Sequence, residues 1–293
     1  MNDWRALHIF YHAIDKREKL IMRIHDIVSP MLSEGRISQW FYINYWEGGP
    51  HVRLRMKDIS AADLACVRAE LEKYLEEEPS VSSLSKEQYY RNHKFDGTAQ
   101  DADFLPWYGD NTVEEIPYEP EVERYGGSSC IGIAEEFFMA SSETAVNIIR
   151  NVPASPGVRL SLASDLYLAA FDICGLLDVS FLEKVSDFWK VYSDDGIEKM
   201  TADPRTREVF MNKLKTYDRN SGSKIVKDWR SMTGGYFAEV SERTGNRNIA
   251  ARVLISQMHM LNNRLSVPPA YEYMIIKMLA EALGGKDNEE KRE

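Results

Sequence analysis

Between Phe41 and Met56 the chain reads FYINYWEGGPHVRLRM, two short β-prone runs that meet at a turn. Glu47, Gly48, Gly49 and Pro50 supply the turn chemistry between an aromatic run, Gln39 to Tyr45, and a run of strict alternation, so an antiparallel hairpin is the natural reading. Successive side chains on a strand point to opposite faces, which puts Val52, Leu54 and Met56 on one side and His51, Arg53 and Arg55 on the other. The apolar side predicts burial. The cationic side displays two guanidiniums roughly 6.5–7 Å apart along the strand, a spacing suited to a carboxylate or phosphate. A solvated outer face or a guarded sheet edge is the other reading of the same alternation.

Around the hairpin the order of elements follows from periodicity. Trp4 to Tyr11 reads as a strand, followed by a helix from Asp15, a candidate N-cap, with Leu20, Ile24, Ile27, Val28 and Met31 at helical spacing and Pro30 expected to kink or end it. Ser60 is expected to cap a second helix carrying Leu64, Val67, Leu71, Tyr74 and Leu75, and a further short strand is expected near Val113 to Tyr118. This order predicts an α+β fold, an N-terminal antiparallel sheet with packed helices and ferredoxin-like character. From Ser80 to Glu115 periodicity fades among polar and aromatic residues, and that stretch is a candidate peptide-contacting lid. Beyond Ser128 the chain reads as a largely helical half, with helices over 129–150, 158–178, 180–193, 205–217, 223–243, 247–264 and 270–283, broken by Pro153, Pro156, Gly196, Pro204, Gly222, Gly245 and Pro268. The expected organisation is a sheet-containing part, 1–127, a helical part, 128–284, packed on it as one functional unit, and a disordered tail, 285–293.

The chain's 293 residues suffice for a sizeable core, and 44% hydrophobic with 28% charged residues is ordinary for a folded protein. A formal charge of −10 argues against a nucleic-acid surface as the main purpose, while leaving room for a local cationic pocket. The three cysteines, Cys66, Cys130 and Cys174, form neither a paired framework nor a metal-ligand spacing. No apolar targeting segment follows Met1 and no run approaches the ~18 apolar residues of a membrane span, so a cytoplasmic location is the default expectation.

Two further stretches carry candidate chemistry. In YEPEVERYGG, Glu121 and Arg124 are spaced to pair on a helical turn, and Gly126 and Gly127 permit close backbone approach or positive φ. A surface ion pair ahead of a helix is the plainer reading. In QMHMLNNRL, His259 shares a helical face with Ile255, Asn262 and Asn263, and a core histidine satisfied by one hydrogen bond is the plainer reading there. Phosphate-loop, dinucleotide, nucleophile-elbow and metal motifs are absent from the sequence. The chemistry left is proton transfer with cationic charge stabilisation.

Taken in order, GPHVRLRM, EVERYGG and HMLNNRL, together with the opening WRALHIFY and the WFYINYWEGGPH run, resemble the C-terminal glutamate-elimination domain of class I lanthipeptide dehydratases, which also occurs as a stand-alone thiopeptide-type bacteriocin biosynthesis protein. The resemblance spans Trp4 to Leu265. It implies a lyase that removes glutamate from glutamylated Ser or Thr of a ribosomally made precursor peptide, leaving dehydroalanine or dehydrobutyrine, with no cofactor and no metal. It further implies that His259 is the general acid/base, that Arg53 and Arg55 serve the glutamyl group and the enolate charge, that Arg124 completes the cationic set, and that Glu121 orients it. His51, Asn44, Tyr125 and Asn263 are the implied substrate-binding positions. Relatives usually carry Arg where this chain has Asn44, so one cation is missing here. The chain has no room for a glutamylation module, which implies a separate glutamyl-tRNA-dependent subunit as partner and no direct nucleic-acid contact; a homodimer is left open. Two other functions fit the same resemblance: a pyridine synthase, which joins two dehydroalanines in a formal aza-[4+2] cycloaddition and expels the leader peptide, and a noncatalytic subunit that binds a leader peptide.

Overall fold

The computed structural model describes residues 3–91 and 102–290. Among the described residues four strands and eleven α-helices follow in chain order: β1 Trp4–Phe10, α1 Arg17–Ser33, β2 Gln39–Tyr45, β3 His51–Lys57, α2 Ala61–Glu77, α3 Lys86–Arg91, β4 Thr112–Glu115, α4 Ile131–Asn151, α5 Pro156–Ile173, α6 Val179–Trp189, α7 Asp195–Ala202, α8 Pro204–Thr216, α9 Lys224–Thr244, α10 Arg247–Arg264 and α11 Pro269–Glu290. The fold is α+β. The chain divides into two compact units, Met1–Glu121 with Ala134–Asn151, and Val122–Ile133 with Val152–Glu293.

In the first unit the sheet order is β2-β3-β1-β4 with every pairing antiparallel, the split βαββαβ arrangement of ferredoxin-like folds. The pairings Ala6↔Arg55, His8↔Arg53 and Phe10↔His51, with Phe41↔Arg55, Ile43↔Arg53 and Tyr45↔His51, define one face. The opposite face carries Leu7, Ile9, Trp40, Tyr42, Val52, Leu54, Met56 and Val113, all buried. Against it stand α1, through Leu20, Ile24 and Val28, and α2, through Leu64, Val67 and Leu71. Each such side chain contributes roughly 1.5–3 kcal/mol on burial, which makes this face a large contributor to the unit's stability. The β2 edge is closed by α4: the Tyr42 amide donates to Ser142 Oγ at 3.3 Å and Trp40 Nε1 to Glu143 Oε1 at 2.8 Å.

Several local expectations change. Asp15 sits inside a 3₁₀ turn, Ile14–Lys16, rather than capping α1. Pro30 does not end that helix, which runs to Ser33. Ser60 caps α2 as expected, accepting from the Asp63 amide at 3.0 Å. Gly196 does not break the chain but lies in the first turn of α7, because Asp194 caps it by accepting from the Ile197 amide at 2.9 Å. Helix α5 stops at Ile173, short of 178, with Gly175 at φ +61° beyond it. Part of the expected loop, residues 92–101, and the last three residues of the expected tail lie outside the described residues.

The rest of that loop holds the hairpin turn. Tyr90 on α3 places its hydroxyl between the Gly48 amide, from which it accepts at 2.8 Å, and the Pro106 carbonyl, to which it donates at 2.8 Å. Tyr108 donates its amide to the Gly48 carbonyl at 2.9 Å, and Trp107 packs with Tyr89 and Tyr90. Gly48 and Gly49 have φ of +93° and +106°, and a Cβ on Gly48 would meet Tyr108 Cδ2 at 2.9 Å, so the turn requires glycine there. In the second unit, helices α5 to α11 pack on one another around residues such as Tyr167, Phe171, Trp229, Leu254, Leu261 and Met274. No helix among the described residues is long and apolar enough to cross a membrane.

Candidate active site

In the first unit β3 is a central strand, and its arginines meet aromatic rings rather than open solvent. The Arg53 guanidinium lies 3.3 Å from the Tyr45 ring centroid, and that of Arg55 lies 4.4 Å from Tyr118 and 5.1 Å from Phe41. Burial pushes the Arg53 pKa down, while Tyr45, Glu47 and Glu121 push it back up; a guanidinium starts so high that it stays a cation. Glu121 therefore acts on Arg53 and Tyr45.

His51 is buried beside Arg53. Its Nδ1 lies 2.8 Å from the Gly49 carbonyl, which can only accept, so Nδ1 carries the proton and Nε2 accepts from Arg53 Nε at 3.1 Å. Burial first, then the Arg53, Arg17 and Arg55 charges, lowers His51 to about 3. His8, stacked on it with ring centroids 5.0 Å apart, falls to about 2 through burial, then Arg53, His51 and Arg55. Both imidazoles are neutral near pH 7 and neither can relay protons there. Asn44 pairs with Val52, so the pleat turns its side chain to the face opposite Arg53 and Arg55.

The second unit holds Arg124, Tyr125, His259 and Asn263. Arg124 lies in the 3₁₀ turn Glu123–Tyr125 and donates from Nε to Ser256 Oγ at 3.4 Å. Ser256 precedes His259 by three residues on α10, so Arg124 and His259 address the same helical face. Tyr125 is buried, with its ring centroid 5.9 Å from the Arg124 guanidinium carbon. Gly126 and Gly127 both have positive φ, as the paired glycines suggest. Asn263 is half-buried on α10.

His259 has partners that the sequence reading missed. Its Nδ1 stands 2.7 Å from Glu272 Oε1 on α11, and Glu272 is wholly buried. The second oxygen of Glu272 accepts from the Tyr167 hydroxyl at 2.6 Å, and that hydroxyl accepts from Asn262 Nδ2 at 3.2 Å. The Trp189 ring lies 4.9 Å from the imidazole, whose side chain keeps 18% exposure. A signal for Glu272 was present: it shares a helical stripe with Ile275, Ile276 and Leu279, and a carboxylate on an apolar stripe must have a partner. Among the described residues no group of three or more His, Cys, Asp or Glu could hold a metal ion.

A cationic aromatic sheet face and a carboxylate-held histidine are groups for binding anions and moving protons. Residues 4–283 match the family described as Lantibiotic biosynthesis dehydratase C-term. The chain belongs to that family. Proteins of known structure share its fold at low identity. The "Pyridine synthase, TbtD, from thiomuracin biosynthesis" is 18% identical, with a TM-score of 0.74, over 97% of this chain and 98% of that one. TsrL is 14% identical, with a TM-score of 0.71, over 97% and 95%. The tRNA dependent lantibiotic dehydratase MibB from Microbispora sp. 107891 is 17% identical, with a TM-score of 0.61; the match takes 99% of this chain but 29% of that one. Against curated protein sequences the chain has no match.

Proposed function

We propose that this chain removes glutamate by β-elimination from glutamylated Ser or Thr of a ribosomally made precursor peptide. In this reading His259 takes the α-proton, the C–H electron pair forms the Cα=Cβ bond, and the Cβ–O bond breaks as glutamate departs with its electrons. The product residue is dehydroalanine or dehydrobutyrine. Arg53 and Arg55 serve the glutamyl carboxylate and the charge of the enolate, Arg124 adds a third cation, and Glu121 tempers Arg53. The observation that carries the reading is the pair of half-buried arginines on β3, since an elimination that expels glutamate needs fixed positive charge. A separate subunit that uses glutamyl-tRNA would supply the ester, which agrees with this chain's charge of −10.

A second reading has its own support. The pyridine synthase TbtD matches this chain end to end, whereas the match to MibB covers 29% of that protein, so the structural likeness favours aza-[4+2] cycloaddition of two dehydroalanines over elimination. The two reactions differ in what they need from Arg53 and Arg55, because a cycloaddition has no glutamate to hold.

Mass spectrometry of a peptide bearing a glutamyl ester on Ser separates them. Loss of the whole glutamate with formation of a dehydro residue, slowed at least 10²-fold by His259→Ala, supports elimination. Return of the ester peptide unchanged, with ring formation from a bis-dehydroalanine peptide, replaces it with the synthase reading.

A further inference from the structure

The chain Asn262–Tyr167–Glu272–His259 has one consistent direction of donation. Tyr167 is fully buried, and its single hydroxyl proton is held tightly because burial and the neighbouring Glu272 raise its pKa well above the usual value. That proton goes to Glu272 Oε2, and the hydroxyl lone pair accepts from Asn262. Glu272 Oε2 thus accepts from Tyr167, and as a carboxylate Glu272 offers Oε1, 2.7 Å from His259 Nδ1, only as an acceptor. The Trp189 ring flanks the imidazole.

We infer that Glu272 and Tyr167 are positioning residues that lock His259 as its Nδ1–H tautomer, leaving Nε2, on the partly exposed side chain, as the nitrogen that exchanges protons with a substrate. The inference rests on the proposed role of His259 for its catalytic consequence, but its structural content stands apart from any reaction. Glu272 touches no reacting atom. Its contribution is to keep the basic lone pair on one nitrogen and to hold the ring at one angle, as buried carboxylates do for histidine bases generally.

Exchange of a carboxylate oxygen for an amide exposes the arrangement. In Glu272→Gln, Tyr167 still donates to the amide oxygen, so the NH₂ group faces His259 Nδ1 and forces that nitrogen to accept. The proton must then move to Nε2. Long-range ¹H–¹⁵N spectra of ¹⁵N-histidine-labelled protein at pH 8, assigned with His259→Ala, are expected to show the Nδ1–H form in the wild type and the Nε2–H form in Glu272→Gln. An Nε2–H wild type, or an unchanged tautomer in the variant, overturns the inference whatever the substrate proves to be. On the glutamyl-ester peptide, Glu272→Gln is expected to lower kcat about 10²- to 10⁴-fold with KM nearly unchanged, and Tyr167→Phe about tenfold with the tautomer retained. A wild type that leaves the ester intact defeats the elimination reading alone, because the spectra still decide the tautomer. Equal effects of Glu272→Gln on KM and kcat with lost thermal cooperativity would mark a merely structural residue and reject the positioning role.

Discussion

His51 accepts a hydrogen bond from Arg53 Nε at 3.1 Å through the nitrogen opposite the one bonded to the Gly49 carbonyl. One imidazole thus ties the Arg53 guanidinium to the backbone of the hairpin turn. The histidine acts here as a neutral strut.

His51→Phe keeps an aromatic ring and removes the strut. A hydrogen bond involving a charged group is worth about 1.5–3 kcal/mol, so turnover of the glutamyl-ester peptide should fall roughly 10- to 100-fold. Steady-state kinetics beside a far-UV circular dichroism spectrum checks this, and an unchanged rate would remove His51 from the role.

Arg53→Lys keeps the charge but loses the planar group that stacks on Tyr45. We expect a rate loss of about 10²- to 10³-fold with the melting temperature nearly unchanged. Full activity in the lysine variant would mean that charge alone suffices at β3.

Stability should depend on pH through His8 and His51. Unfolded histidines titrate near 6.5, whereas these two fall to about 2 and about 3 when folded. Between those values the unfolded chain binds more protons, so stability rises with pH. It is fully present above about 6.5 and is lost as pH falls toward 3, at about 1.4 kcal/mol per pH unit for each histidine. Urea unfolding of the first unit from pH 7 to pH 5 measures the slope, and His8→Leu should remove one histidine's share of it. An identical slope in that variant would contradict the assignment.

Gly48→Ala should destabilise the hairpin turn by about 2 kcal/mol or more, since φ of +93° strains any residue with a Cβ and the new carbon would meet Tyr108 at 2.9 Å. The expected signs are a lower melting temperature and a changed near-UV spectrum from the Trp107 and Tyr108 cluster. Wild-type behaviour in both would show that Tyr108 can yield.

Much of the fold was legible because its signals are local. Alternation over His51 to Met56 separated the arginine face from the buried face, Ser60 marked the start of α2, and helical spacing found most of the second unit. Where expectations failed, another local effect won. Asp194 carried α7 past Gly196, and the packed aromatic residues of α3 and Trp107 gave structure to a stretch that has no periodicity of its own.

Sequence by itself determined the βαββα order of the first unit and the side of β3 on which the cations stand, since a period of two needs only adjacent residues. Tertiary structure decided which face Asn44 takes relative to them, because strand register depends on the pairing across the turn and a shift of one residue reverses it. It alone decided the histidine's partners. Glu272 reaches His259 across the turn between α10 and α11, and Tyr167 comes from α5, more than a hundred residues before Glu272. No local period encodes such a meeting; only the packing of three helices, which must satisfy a carboxylate buried at 0% exposure, brings it about.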